Sequence, residues 1–191
     1  MQLFKVLPLA GILLVAAIVF VWRPWLQRRR HGTWGLLLLA FGLLVGQALA
    51  AALRPELLPL AQADLRATPA LRHIVGAMLL FGGVLLLVIA QLDLGASWRI
   101  GIEEDAKPGL VTGGLYRYCR NPIFLGLLVT LAGYTLLVPT FLSAVILAGA
   151  YVAIRRQIVE EERYLARAYG EPYRAYARRV GRLVPGIGRS A

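Results

Sequence analysis

Cysteine is almost absent from this chain, and the one present, Cys119, excludes an intramolecular disulfide. Histidine is nearly as scarce. His31 and His73 fall on opposite sides of the membrane in the topology derived below, which leaves no metal site with credible ligands. There is no P-loop, and no GxGxxG motif follows a strand, which argues against a nucleotide-binding fold attached to the tail. Internal repeats and low-complexity linkers are missing as well. Charge is sparse: 16% of the 191 residues are charged and 59% are hydrophobic, a balance that soluble domains seldom reach.

Long uncharged runs take the place of charge. They cover Val6–Trp22, Thr33–Leu53, Ile74–Leu92 and Asn121–Ile154. Each approaches or exceeds the length that crosses about 30 Å of hydrocarbon at 1.5 Å per residue. The first lacks a small-residue cleavage site and runs into Trp22-Arg23-Pro24-Trp25, so it reads as a retained span ending in an interfacial belt. The fourth would be roughly 50 Å long as one helix. Pro139 near its middle would break or kink it, which predicts a tight helical hairpin. The expected fold is therefore an all-α integral membrane protein, one membrane domain over residues 1–191. Its five spans fall at about 4–22, 33–53, 73–93, 121–138 and 140–158.

Orientation follows from lysine and arginine. With the N-terminus outside, 17 of the 21 basic residues fall in inner segments and 4 in outer ones. The 94–120 loop and the 159–191 tail then both face the cytosol. The net charge of +11 is explained by anionic headgroups and requires no nucleic acid. Segment 54–72, with Pro55, Pro59 and Pro69, is expected outside as a short surface stretch without chemistry.

Beyond the hairpin, Ile158, Leu165 and Tyr169 recur near helical spacing, so the second arm should continue into the cytosol as an amphipathic helix. Gly170 is a natural stop and Glu171-Pro172 a natural restart, with Tyr173 and Tyr176 on one face and Pro185-Gly186 as the end. Two polar clusters flank the same hairpin. One is GLYRYCRNPIFLG, Gly114–Gly126; the other is Glu160-Glu161-Glu162. Hairpin arms are neighbours, so Arg117 and Arg120 should lie near Glu161 and Glu162.

Arg117 and Arg120 are ordinary candidates for snorkelling to headgroups. Asn121-Pro122, however, starts a helix directly after Arg120, and its unpaired N–H groups together with an arginine fork suit a carboxylate or phosphate. Glu161 and Glu162 form either a solvated face or a rim that accepts hydroxyl or ammonium hydrogens and tolerates a sulfonium. Most tyrosines fit an interfacial belt. Tyr116 and Phe124, inside the motif, are the candidates for stacking on a base or sulfonium. Cys119 has no histidine nearby to activate it, and Asp93 reads as a helix-end residue.

LVTGGLYRYCRNPIFLG (Leu110–Gly126) followed by EERYLARAYGEPYRAYARRVGRLVP (Glu161–Pro185) resembles the isoprenylcysteine carboxyl methyltransferase family, a distant relative of the phospholipid N-methyltransferases. The matching positions are Leu110, Val111, Thr112, Gly114, Tyr116, Arg120, Pro122 and Gly126, then Glu161, Glu162, Leu165, Gly170, Tyr173, Tyr176, Val180 and Pro185. The resemblance covers the C-terminal half. It implies a methyltransferase with S-adenosyl-L-methionine as cofactor, a cytosol-facing site, and a lipophilic, prenylated or otherwise membrane-delivered acceptor.

Motif chemistry and the resemblance together make Tyr116, Arg120, Asn121, Pro122, Phe124, Gly126, Glu161 and Glu162 the expected cofactor-binding residues. Arg120, Asn121 and the helix start would take the cofactor's carboxylate, Tyr116 and Phe124 would line its pocket, and Glu161 and Glu162 would bind its amine or ribose. Three residues depart from the pattern: Asn121 replaces histidine, Phe124 replaces tyrosine and Gln157 replaces arginine. The alternatives are an NADPH-dependent enzyme resembling the sterol reductases, which share the Arg-(His/Asn)-Pro step, and a small non-enzymatic membrane scaffold.

Overall fold

The structure, a computed structural model, describes residues 43–47, 49–50, 69–95 and 109–189. Among these the secondary structure is helical: α1 (Pro69–Leu94), a single 3-10 turn (Gly114–Arg117), α2 (Pro122–Leu137), α3 (Phe141–Tyr169) and α4 (Glu171–Arg179). Residues 43–47 and 49–50 are also helical. No strand occurs among the described residues; one parallel β-bridge joins Cys119 to Gly181. The expected first span, most of the second, the outer segment up to residue 68 and loop residues 96–108 lie outside the described residues.

Two helices, Ala70–Leu94 and Phe141–Tyr169, are long and apolar enough to cross a bilayer. Most of their apolar surface is left uncovered, whereas the central helix of a soluble protein would be mostly covered. Met78, Leu85 and Leu92 lie on the exposed surface of α1, where lipid is a better solvent than water. The α2 helix is apolar but shorter.

The chain divides into two compact units, residues 1–84 with 128–150, and residues 85–127 with 151–191. In the first, Leu44, Leu80, Tyr134, Leu137 and Val138 form the core. α1 meets α2 at glycines: a Cβ on Gly133 would stand 2.3 Å from the Leu80 nitrogen, and one on Gly76 would stand 2.9 Å from Leu137 Cγ. Small residues let two backbones approach this closely, the usual means of packing helices in lipid. The predicted hairpin break is present, since α2 ends at Leu137 and α3 begins at Phe141, with Pro139 between them. Thr140 and Ser143 cap the new helix reciprocally. The Ser143 N–H donates to Thr140 Oγ1 at 3.0 Å and the Thr140 N–H to Ser143 Oγ at 3.1 Å. The Thr140 hydroxyl donates to Gln47 Oε1 at 2.9 Å, and the Tyr134 hydroxyl to the Leu44 carbonyl at 2.9 Å.

The second unit has its own core, Tyr173, Tyr176, Ala177 and Val180. α3 is unbroken over 29 residues, about 44 Å at 1.5 Å per residue and longer than one crossing needs, and its continuation past Ile158 is what the spacing of Ile158, Leu165 and Tyr169 predicts. Gly170, with φ of 61°, interrupts the helix where a side chain would be strained, and Glu171-Pro172 restarts it. α4 ends at Arg179 rather than at the expected Pro185-Gly186. Val180 leaves the helix with extended backbone, and Gly181 pairs with Cys119 instead. That tertiary bridge removes the last turn the sequence pattern would allow. Gly181 must lack a side chain, because a Cβ would stand 2.1 Å from the Val184 carbonyl oxygen.

Candidate functional site

The site belongs wholly to the second unit and begins at the end of α1. Gly114 has φ of 54°, and a Cβ there would fall 2.3 Å from the Asp93 carboxylate. This close approach lets Asp93 Oδ2 accept the Leu115 N–H at 2.7 Å, which fastens the 3-10 turn to α1. The turn closes with the Tyr116 N–H on the Gly113 carbonyl at 3.0 Å and the Cys119 N–H on the Leu115 carbonyl at 3.1 Å. It points Tyr116 inward, 7% exposed, and leaves Arg117 and Tyr118 on the surface, where the guanidinium lies 5.4 Å from the Tyr118 ring centroid. Arg117 thus has the place of a surface anchor and Arg120 does not.

Residues 119–121 then pair with the C-terminal segment. The Arg120 N–H donates to the Gly181 carbonyl at 2.9 Å, Asn121 Nδ2 to the Arg182 carbonyl at 2.9 Å, and Cys119 Sγ to the Leu183 carbonyl at 3.0 Å. Asn121, where the family pattern has histidine, thus spends its amide on fixing the tail. Its own carbonyl accepts the Leu125 N–H at 3.0 Å, which opens α2 with Pro122 in the first turn. Pro122 and Gly126 are buried, and Phe124 is half-buried.

Arg120 turns inward, its side chain 2% exposed. Nη2 stands 3.0 Å from Glu162 Oε1 and donates to the Gly188 carbonyl at 2.8 Å, while Nη1 donates to the Ala177 carbonyl at 3.3 Å. Glu162 also receives Arg182 through two prongs, Nε at 2.9 Å to Oε1 and Nη2 at 2.6 Å to Oε2. One carboxylate therefore lies between two guanidiniums, the fork geometry in which arginine is strongest. Its neighbour Glu161, half-buried, accepts Gln157 Nε2 at 3.1 Å. The residue that departs from the family arginine is thus still engaged with the acidic pair.

Aromatic side chains form the dry wall of this cluster. Tyr173 and Tyr176 pack edge to face, centroids 6.2 Å apart, and the Tyr176 hydroxyl donates to the Tyr116 carbonyl at 2.6 Å. Burial drives the Tyr116 and Tyr176 phenols well above their ordinary range, and burial followed by the Glu162 charge raises Tyr173 to about 12. These phenols stay neutral donors at physiological pH. Burial also raises the Cys119 thiol, against weaker opposing effects from the Asn121 backbone and Arg120. A neutral thiol bonded to a carbonyl is a packing group, not a nucleophile.

The structure brings Arg120, Asn121 and Glu162 to one place, with Tyr116 and Pro122 buried in the same unit. Glu161 faces Gln157. Two contributors were missed from sequence. Arg182 sits between the pattern positions Val180 and Pro185, a placement that offered a signal, but an arginine in a non-periodic tail looks like any surface charge. Asp93 reads in the sequence as a helix-end residue, and the Gly113-Gly114 pair is the signal that something approaches closely there.

A family model described as phospholipid methyltransferase matches residues 71–172. The chain is 28% identical over 116 residues to the protein-S-isoprenylcysteine O-methyltransferase of Dictyostelium discoideum, covering 59% of this chain and 49% of that protein. It is 33% identical over 89 residues to the methanethiol S-methyltransferase of a Pseudomonas strain, covering 47% and 33%. Against the protein-S-isoprenylcysteine O-methyltransferase B of Arabidopsis thaliana it is 32% identical over 115 residues, covering 58% and 57%. These matches span between about a third and just over half of the relatives' length.

Proposed function

The chain belongs to the phospholipid methyltransferase family, and we propose that it is an integral membrane methyltransferase that draws its methyl group from S-adenosylmethionine. In this reading the protein has five spans, an outer N-terminus and a site open to the cytosol. The observation that supports it most is the closure of two separated motifs on one carboxylate: Arg120, ahead of α2, and Arg182, after α4, both bind Glu162 on α3.

The donor set fits the cofactor. Glu161 and Glu162 offer acceptors for an ammonium and for ribose hydroxyls, and they favour a nearby sulfonium. Arg120, the α2 start and the second hydrogen of the Asn121 amide, whose first is given to the Arg182 carbonyl, supply the anion-binding end. Tyr116 and Phe124 offer ring faces. Because Arg120 already holds Glu162 and two carbonyls, a cofactor carboxylate competes with these for the guanidinium.

When bound, the cofactor supplies an activated methyl group on a sulfonium. The protein's part is positioning and exclusion of water, since in-line attack on that methyl disperses charge and needs no strong base. A carboxylate acceptor loses no proton, so a site without a histidine base is adequate; a thiol acceptor must arrive as thiolate. The relatives carry names of both kinds, O-methyl and S-methyl. A lipophilic acceptor delivered through the bilayer is the class proposed here.

Calorimetry on purified protein tests this. S-adenosylhomocysteine should bind and NADPH should not. Glu161→Gln should weaken binding, while Arg189→Ala, on the exposed tail, should leave it unchanged. Binding of NADPH alone would favour a reductase, and a flat trace with both ligands would end both enzyme readings.

A further inference from the structure

Between α3 and α4 runs an open groove of about 340 Å³ whose rim carries Arg163, Arg174, Arg178 and Arg182 with Glu162. It shares only Glu162 with the eight residues expected to bind cofactor. On α3, Val159, Glu162, Arg163 and Ala166 recur at three- and four-residue spacing, one helix face; on α4, Tyr173, Arg174, Ala177 and Arg178 do the same. The floor is therefore apolar and short, and the rim is guanidinium. Glu162 is already held by Arg120 and Arg182, so it neutralises nothing further. Arg178 is paired with Glu171, which does not line the groove. The guanidiniums of Arg163 and Arg174 form no hydrogen bond or ion pair among the described residues, though the Arg174 charge adds to the Arg178 hydrogen bond and charge in holding the Glu171 carboxyl below its ordinary range.

Depth along α3 says what such a groove meets. The uncharged part of α3, Phe141–Ile154, covers about 21 Å at 1.5 Å per residue, and the exposed Arg155 and Arg156 mark where the helix leaves the hydrocarbon. The groove starts one turn further on, at Val159, the level of lipid headgroups. A single arginine fork saturates a carboxylate. Two arginines lining one groove from different helices, Arg163 on α3 and Arg174 on α4, suit an anion with more oxygens. We propose that this groove is a phosphate-binding site, taking the phosphate of a lipid headgroup or of a soluble phosphate ester.

The proposal is independent of the cofactor reading, and its test contains no cofactor. Full-length protein in neutral detergent is titrated with dioctanoyl phosphatidylglycerol, with dioctanoylglycerol, which lacks the phosphate, and with inorganic phosphate. Thermophoresis gives affinity, and native mass spectrometry counts the bound lipid. The phosphatidylglycerol should bind and the phosphate-free lipid should not. Competition by inorganic phosphate identifies a general phosphate site, whereas binding of the lipid without such competition identifies a headgroup site. Binding of inorganic phosphate alone assigns the site to soluble esters.

The paired variant R163Q/R174Q should lose about five-fold or more in affinity per arginine removed. R163K/R174K, which keeps the charge but not the fork, should recover part of it. The control R155Q/R156Q removes the same charge from exposed positions of α3 outside the groove and should keep wild-type affinity. Matching circular dichroism and melting will show that all variants fold. Equal losses in control and groove variants would mean a diffuse basic surface and no site. Equal binding of the phosphate-free lipid, or no binding by the wild type, would also overturn the proposal.

Discussion

Glu162→Gln isolates what the buried ion cluster contributes. The Arg120 side chain is 2% exposed and that of Glu162 14%, so removing the carboxylate's charge strands a guanidinium away from water. Breaking one partner of a buried pair costs about 3–5 kcal/mol. Two features point to the lower end. Glutamine keeps the shape and one acceptor oxygen, and Arg120 retains the Ala177 and Gly188 carbonyls. About 3 kcal/mol in a chain of this size corresponds to roughly 6–12 °C in melting temperature. The internal reference is Glu171→Gln, which removes a pair with side chains 63% and 49% exposed and should shift melting imperceptibly. Thermal unfolding of both variants in one neutral detergent, followed by circular dichroism, gives the comparison. The double change Arg120→Met with Glu162→Met should recover part of the loss, because the 2% exposed guanidinium is gone and only Arg182, 26% exposed, is left without its partner. If Glu162→Gln melts with Glu171→Gln and wild type, the carbonyls alone satisfy Arg120 and the buried-pair argument is wrong.

Two further outcomes follow from other parts of the fold. Gly133→Ala places a Cβ 2.3 Å from the Leu80 nitrogen and should destabilise by about 1–3 kcal/mol, whereas Gly149→Ala meets nothing within 4 Å and should be neutral or slightly stabilising; melting of the two variants checks this. Tyr173 titrates at about 12 when folded against 10.0 as its ordinary value, so the unfolded chain loses that proton first and stability falls as pH rises from about 10 to 12. Tyr116 and Tyr176 act in the same direction. Tyrosinate absorbance of these three should therefore appear together with unfolding. Early ionisation of the folded protein would contradict their burial.

The parts of the structure that periodicity controls were legible in the sequence, and the parts controlled by single long-range contacts were not. α1, α2 and α3 follow from runs of apolar residues, Pro139 and the spacing of Ile158, Leu165 and Tyr169, because helix formation depends on near neighbours and on a solvent that rewards an apolar surface. The meeting of Arg120 with Glu162 was likewise open to inference, because a hairpin forces its two outer ends together. The end of α4 was not. Local rules allow a helix to Pro185, yet the chain leaves it after Arg179 so that Gly181 can pair with Cys119.

Arg182 illustrates the same limit from the chemical side. Its guanidinium reaches Glu162 because the bridge, the Asn121 amide and the turn from the Arg182 N–H to the Ile187 carbonyl at 2.8 Å hold its backbone in place. Two tertiary contacts and one local turn thus convert a residue that looks like a surface charge into the second jaw on the site's carboxylate. Asn121 gains its meaning from the same contacts. Its amide, standing where the resembled motif calls for an imidazole, is bonded to the tail that positions Arg182. The departure from the family residue is therefore coupled through that carbonyl to the orientation of Glu162. Asn121→His should change the hold on the tail as much as any direct contact with a ligand.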